Sequence, residues 1–233
     1  MEFERLSAPS LKELFVTQIR DNILSGKLPV GTRLPPEREI AQQMQVSRAV
    51  VNGGLAELEH EGFIEIRPRQ GAYVADYGRS GNIDTLISIM EYCGETLGKA
   101  EIRSILEVRR ALEHLATDAA IENAAEQDMN ALGERLADIG AANTIPEAIE
   151  MTFAFHHELS IIGGNSILPL IYTSFKPIVS QLWMRFCRRY GMDALYDSTQ
   201  HLYECLCTRD REAARRATDA ALDCAIRGDH QIY

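Results

Sequence analysis

The sequence predicts a mainly α protein: an N-terminal winged helix-turn-helix with a small β-hairpin wing, followed by an all-α helical bundle. Three observations carry this. Ile40, Ala41 and Met44, then Val51, Leu55 and Leu58, recur at helical spacing on either side of a break at Gln45. Ile64 and Ile66 alternate with Glu65 and Arg67, Gly71 interrupts, and Tyr73-Val74 resumes an extended pattern, as a hairpin would. Beyond Asn82 no alternation persists and every strong pattern is helical.

Taken in order, residues 1–9 read as a loose end. A first helix starts at Ser10, carries Leu11, Leu14, Phe15, Ile19 and Ile23 on one stripe, and stops near Ser25-Gly26. Pro29 and Pro36 bracket a turn-rich connection. Ser47 stands directly before the second helical run, where an N-cap belongs. Residues 78–82 (Gly-Arg-Ser-Gly-Asn) have the composition of a linker, dividing a DNA-binding domain at 1–77 from a helical domain at 83–233. In the helical domain Ile83, Leu86, Ile87, Met90 and Leu97 form one stripe. Ile102, Ile105, Leu106, Leu112, Leu115, Ala116 and Ala119 form a longer one, and Met129, Leu132, Leu136 and Ile139 a third. Helical segments at 149–161, 167–190 (broken at Pro169 and Pro177), 195–207 and 211–226 complete a bundle of six or seven.

The second helix of the pair has the makings of a recognition helix. With Val51, Leu55 and Leu58 inward, a rotation of about 100° per residue turns Ala49, Asn52, Gly53, Ala56 and His60 outward. Its leading end is free of acids, as entry into a groove between phosphates requires. Arg48 at the tip can pair bidentately with guanine. Arg38 on the preceding helix, with Arg67 and Arg69 on the wing, can meet phosphates or the minor groove.

Leu34-Pro35, Glu37-Arg38-Glu39, Val46-Ser47-Arg48, Leu55 to Leu58, Glu61-Gly62 and Arg69-Gln70-Gly71-Ala72-Tyr73-Val74 follow one another in an order and spacing that resembles the GntR family of bacterial transcription regulators. The resemblance implies DNA contacts from Arg38, Ser47, Arg48, Ala49 and Val50, with Arg69, Gln70 and Gly71 at the wing tip. Asn52 departs from it, standing where many members have a DNA-contacting arginine, and remains a DNA-facing candidate. Gly53-Gly54 departs too. Each glycine inside a helix costs about 1 kcal/mol against alanine, which suggests a helix that tightens on DNA. Pro36 replaces the usual serine cap but suits a first helical turn.

Net charge fits a regulator better than a protein that coats DNA. Residues 1–77 hold 9 Lys+Arg against 11 Asp+Glu, and residues 78–233 hold 15 against 23, so most acidity lies outside the DNA-binding part. Such a chain depends on direct contacts and pairing rather than bulk attraction. No apolar run is long enough for a bilayer and no leader pattern opens the chain, so a cytoplasmic protein with no membrane partner is expected. Cys93, Cys187, Cys205, Cys207 and Cys224 are odd in number and lack paired spacing, which suits reduced, mostly buried thiols. Cys205-x-Cys207 on a helix would point its thiols apart, a poor start for zinc.

The helical half resembles the ligand-binding domain of the FadR branch of GntR regulators. The resemblance is carried by Leu106-Glu107-Val108-Arg109-Arg110 with Leu112-Glu113, Phe155-His156 with Leu159, Gly164-Asn165, and His201. Many members hold a metal there. By position this chain offers Thr152, His156, His201 and Ala221, of which only the histidines can ligate. No cofactor is therefore expected to be required, with His156 and His201 as weak metal candidates. Arg109, His156, His201, Asn165 and Arg185 are the effector-binding candidates. Arg109 lies inside an apolar stripe, where an unpaired guanidinium is costly. It either pairs with Glu113, one turn on, or faces a polar cavity. Tyr172, Trp183 and Tyr203 read as core, His114 and His157 as exposed.

These observations favour a metabolite-responsive DNA-binding regulator, a repressor. In that reading a homodimer pairs through the helical half, binds a near-palindromic operator and responds to a small anionic or acyl-bearing ligand. An enzyme built on His156 and His201 is disfavoured, because no nucleophile, base and orienting group recur at recognisable spacing. A purely structural helical domain is the other alternative.

Overall fold

A computed structural model describes residues 9–93, 99–227 and 231–232. Residues 1–8, Leu97 and the side chain of Cys93, which enter the expectations above, lie outside the described set. The chain divides into two compact units, residues 1–94 and 95–233.

In the first unit, α1 (Leu11–Leu24) opens on a capping box. Ser10 Oγ accepts from Glu13 N–H, and the Glu13 carboxylate accepts from Ser10 N–H. Helices α2 (Glu37–Gln43) and α3 (Arg48–His60) follow, joined by a turn in which Gln45 takes a left-handed φ of 54°. The expected Ser47 cap is present, its hydroxyl accepting from Val50 N–H at 3.3 Å. Phe15, Val16, Ile19 and Ile23 of α1 share one core with Ile40, Val51, Leu55, Leu58 and Phe63. Strands β1 (Ile64–Arg67) and β2 (Gly71–Val74) pair antiparallel, with Ile64 opposite Val74 and Arg67 opposite Gly71. The connection read as turns also supports the wing. Leu34 N–H donates to Ala72 O, and Val74 N–H to Thr32 O, both at 2.9 Å, so residues 31–34 flank β2 on its far side.

The compositional linker is structured. Tyr77–Ser80 forms a short helix, α4, and α5 (Ile83–Cys93) belongs to the first unit rather than to the bundle. Asn82 caps α5, accepting from Asp84 and Thr85 N–H, while its amide donates to the His60 carbonyl at 2.7 Å. Thr85 donates to the Glu61 carbonyl, and Arg20 of α1 donates to Ser88 at 3.1 Å. The partition therefore falls twelve residues beyond the boundary drawn at Asn82. Asn82, Thr85 and Ser88 make that docking by hydrogen bonds, with Ile89 packed against the first unit's core, and the apolar stripe of α5 does not by itself say which unit it joins.

The second unit packs α6 (Lys99–Asn123), α7 (Glu126–Ala141), α8 (Ile145–Ile162), α9 (Leu168–Tyr190), α10 (Met192–Cys207) and α11 (Arg211–Ile226) around a core that includes Leu132, Phe155, Leu159, Leu168, Leu202 and Leu206. One expectation fails here: the prolines do not break α9. Pro169 sits in its first turn, where no N–H is needed, and Pro177 is accommodated inside a continuous helix. An internal proline costs about 3 kcal/mol. Burial of Tyr172 on one side and Ile178, Val179 and Leu182 on the other offsets it. Leu115, counted in the α6 stripe, is exposed.

Candidate functional site

The helix-turn-helix and wing of the first unit carry exposed arginines. Arg48 opens α3, Arg38 lies on α2, and Arg33 runs beside the wing, its Nε within 3.6 Å of where a Cβ on Gly71 would sit. Arg69 occupies the wing tip. None of the four has a carboxylate partner among the described residues, whereas Arg20, Arg67 and Arg79 each do. The tip is a tight turn in which Gln70 N–H donates to the Arg67 carbonyl at 3.0 Å. Pro68 and Arg69 are its central residues, and Arg69 takes φ 63°. Glycine is the usual occupant of that position. An arginine held there stores strain, as residues at functional sites often do.

The other expected DNA-facing residues divide. Ala49, Asn52, Gln70 and Gly71 are exposed. The Ser47 hydroxyl is already engaged as the α3 cap, and Val50 is half-buried against the core. Arg67 pairs with Glu65 at 2.8 Å and stacks on the Tyr73 ring at 4.5 Å. Arg33 was not foreseen: a lone arginine in a loop has no periodicity to place it.

In the second unit a cavity of about 390 Å³ opens between α6, α8, α9, α10 and α11. Leu106, Leu182, Leu195, Leu202 and Leu222 form much of its wall, and Arg109, Glu113 and His156 converge on one part of it. Glu113 is the centre of that cluster. It is buried and accepts from Arg109 Nε at 3.2 Å and from His156 Nδ1 at 2.9 Å. Burial opposes its ionisation, but His156 and then Arg109 outweigh it and hold the carboxyl down at about 2. Trp183 provides the platform. Arg109 lies 4.6 Å above its ring, and the His156 ring stacks on it at 5.7 Å. Both alternatives for Arg109 thus hold together: it pairs with Glu113 and it lines a cavity. Trp183, expected as core, is buried and a cavity wall at once.

Helix α11 forms one side of this cavity and is clasped to α6 by a ladder of charges. Arg110, His114, Asp118 and Glu122, each one turn apart, face Asp223, Asp219, Arg215 and Arg211 in antiparallel order. His114 is therefore half-buried against Asp219 at 3.1 Å, not exposed as expected. His157, also expected outside, is half-buried and bonds Thr173.

Comparison with known proteins agrees with both halves. Residues 12–74 match the model of bacterial regulatory proteins of the gntR family, and residues 104–223 match the FCD domain. The chain belongs to the GntR family. An HTH-type transcriptional regulator of Mycobacterium tuberculosis is 32% identical over 69% of this chain, which spans 64% of that protein's length. The regulator Mce2R from the same species is 28% identical over 97% of this chain and 94% of its own. A solved structure of Lar, which controls expression of the Listeria monocytogenes agr system, shares the fold. Its TM-score is 0.61 at 17% identity, covering 93% of this chain and 95% of that one. As a GntR protein with an FCD domain the chain is a transcription regulator and not an enzyme.

Two of the four positions at which the resemblance implies metal ligands carry no ligating side chain here. The Thr152 hydroxyl is buried and donates to the Ala148 carbonyl at 2.7 Å, and Ala221 offers only a methyl group, so of the four positions only His156, through Nε2, and His201 could ligate. Among the described residues no three His, Cys, Asp or Glu side chains are grouped to hold an ion. His201 does line the cavity with Arg109 and His156. Asn165 does not: its Oδ1 caps the start of α9, accepting from Ile167 and Leu168 N–H. Arg185 is absent from the wall as well. Of the thiols, Cys187 and Cys205 are buried, Cys207 is exposed, and Cys224 lines the cavity. No helix among the described residues is long and apolar enough to cross a membrane.

Proposed function

We propose that the FCD cavity binds an amphiphilic organic acid or acyl-bearing metabolite, and that its occupancy changes operator affinity. The observation that carries this is the convergence of Arg109, Glu113 and His156 in a cavity whose wall is otherwise mostly apolar, with leucines, alanines, Trp183 and Phe186 predominating and Asp197, Ser198, Thr199, His201 and Thr218 adding further polar groups. An apolar body fits those walls. A carboxylate or acyl oxygen is received by the Arg109 fork and by His156 Nε2, which has no hydrogen-bond partner among the described residues.

The DNA side follows from the exposed arginines. Helix α3 enters the major groove with Arg48 on guanine, while Arg33, Arg38 and Arg69 meet phosphates or the minor groove. Two chains acting as a homodimer place two such units on a near-palindromic operator in the cytoplasm, and ligand and DNA are coupled by the 1–3 kcal/mol or so usual for allostery. No metal is required in this reading.

Trp183 is the protein's sole tryptophan and sits in the cavity wall, so its fluorescence reports occupancy directly. Titration with a panel of carboxylates and acyl thioesters should produce a saturable change for one class, lost in Arg109→Ala, with a matching change in DNA affinity by anisotropy. Saturable binding that leaves DNA affinity unchanged would overturn the coupling.

A further inference from the structure

We propose that Asn52 reads the operator as a hydrogen-bond acceptor only, selecting cytosine or adenine by the base's amino group, because Glu37 holds the Asn52 amide in one orientation. This rests on the reading that α3 enters the major groove. Asn52 is exposed one turn after Arg48, so the two side chains share the outward stripe of α3. With the Asn52 amide assigned so that Nδ2 rather than Oδ1 faces its neighbours, Nδ2 donates to Glu37 Oε2 at 2.7 Å and to the Arg48 carbonyl at 3.2 Å. Two acceptors on that side demand the NH2 there and not the oxygen. A carboxamide nitrogen has two hydrogens, and both are engaged.

Only Oδ1 remains for DNA. An unrestrained asparagine recognises adenine bidentately, donating to N7 while accepting from N6. Asn52 has no hydrogen left for N7. Its oxygen can accept from adenine N6 or cytosine N4, whereas guanine O6 and N7 and thymine O4 would oppose it lone pair to lone pair. Glu37 is well placed for this holding role. It lies in the first turn of α2, where a carboxylate is favoured, and it has no cationic partner among the described residues to draw it away. Arg48 also lacks a carboxylate partner, so the outward stripe offers donors at Arg48 and an acceptor at Asn52.

Selection from a randomised duplex library with the full chain tests this, comparing wild type, Asn52→Ala and Glu37→Ala. Both positions are exposed, so neither substitution removes core packing. Wild type should enrich a motif with one column favouring C and A over G and T by about fivefold, the effect of one hydrogen bond. Asn52→Ala should flatten that column and leave the guanine column of Arg48 in place. Glu37→Ala should release one amide hydrogen and narrow the column to adenine. A column unchanged in Asn52→Ala, or still accepting C and A equally in Glu37→Ala, overturns the proposal. A wild type that enriches no sequence overturns the reading of α3 itself, and this proposal with it.

Discussion

The Phe15 ring of α1 lies directly against the backbone of α3 at Gly54, so closely that a Cβ there would sit 2.6 Å from Cε1 and nearer still to Cδ1. This glycine admits a neighbour; it is not a looseness awaiting DNA. Gly53 differs, since a Cβ on it would meet only the flexible Lys12 side chain at 3.4 Å. Gly54→Ala should therefore destabilise the first unit by about 1–3 kcal/mol, the usual range for overpacking, despite a gain in helix propensity. Gly53→Ala should raise stability by up to about 1 kcal/mol. Urea unfolding of both variants checks the contrast. Equal effects at the two positions would contradict it.

Arg48→Ala should reduce discrimination between specific and scrambled DNA by about 1–3 kcal/mol, because a bidentate base contact is lost. Arg69→Ala should weaken binding to all sequences alike and lower the slope of log affinity against log salt by about 1 per chain. Arg69→Gly removes the same charge but also the left-handed strain at φ 63°. It should bind DNA as weakly as the alanine variant while unfolding at higher denaturant. Anisotropy across a salt series with parallel unfolding separates the three variants.

Glu113 links pH to stability in the second unit. Its folded pKa is depressed to about 2 from an ordinary 4.5, so the stability it contributes is present above about pH 4.5 and is lost as pH falls towards 2. Glu113→Gln leaves Arg109 and His156 without their acid and should cost about 3–5 kcal/mol at neutral pH, as breaking a buried pair does. From pH 5 downward the gap between wild type and variant should close. A gap that stays constant to pH 3 would mean that the carboxylate charge is not what stabilises the site.

Chelation separates the metal-independent reading from its rival. EDTA should leave the Tm unchanged, because a metal bound to the folded state alone would add RT ln(1 + [L]/Kd) and its removal would lower it. His156→Ala and His201→Ala should alter the ligand response without changing metal content. Stoichiometric metal that survives purification and needs both histidines would reverse this conclusion.

Amino-acid order alone determined the helix-turn-helix and wing, because periods of 3.6 and 2 and the Ser47 cap are local properties. It also nominated Arg109, His156 and His201, which tertiary packing brought to one cavity although they lie on α6, α8 and α10. Other features were decided only in three dimensions. Trp183 and Glu113 became the platform and anchor of that cavity because α6, α8 and α9 cross there, and no spacing along the chain encodes a crossing. Asn165, an effector-binding candidate from the resemblance, caps a helix instead, because an unsatisfied helix start is a nearer hydrogen-bonding need than a cavity. Helix α5 joined the first unit through Asn82, Thr85 and Ser88, with Ile89 against its core; the apolar stripe was visible in the sequence, but which unit it packs on is decided by partners distant along the chain. Gly54 looked like weakness for the same reason: what a glycine admits is visible only once Phe15 has been placed against it.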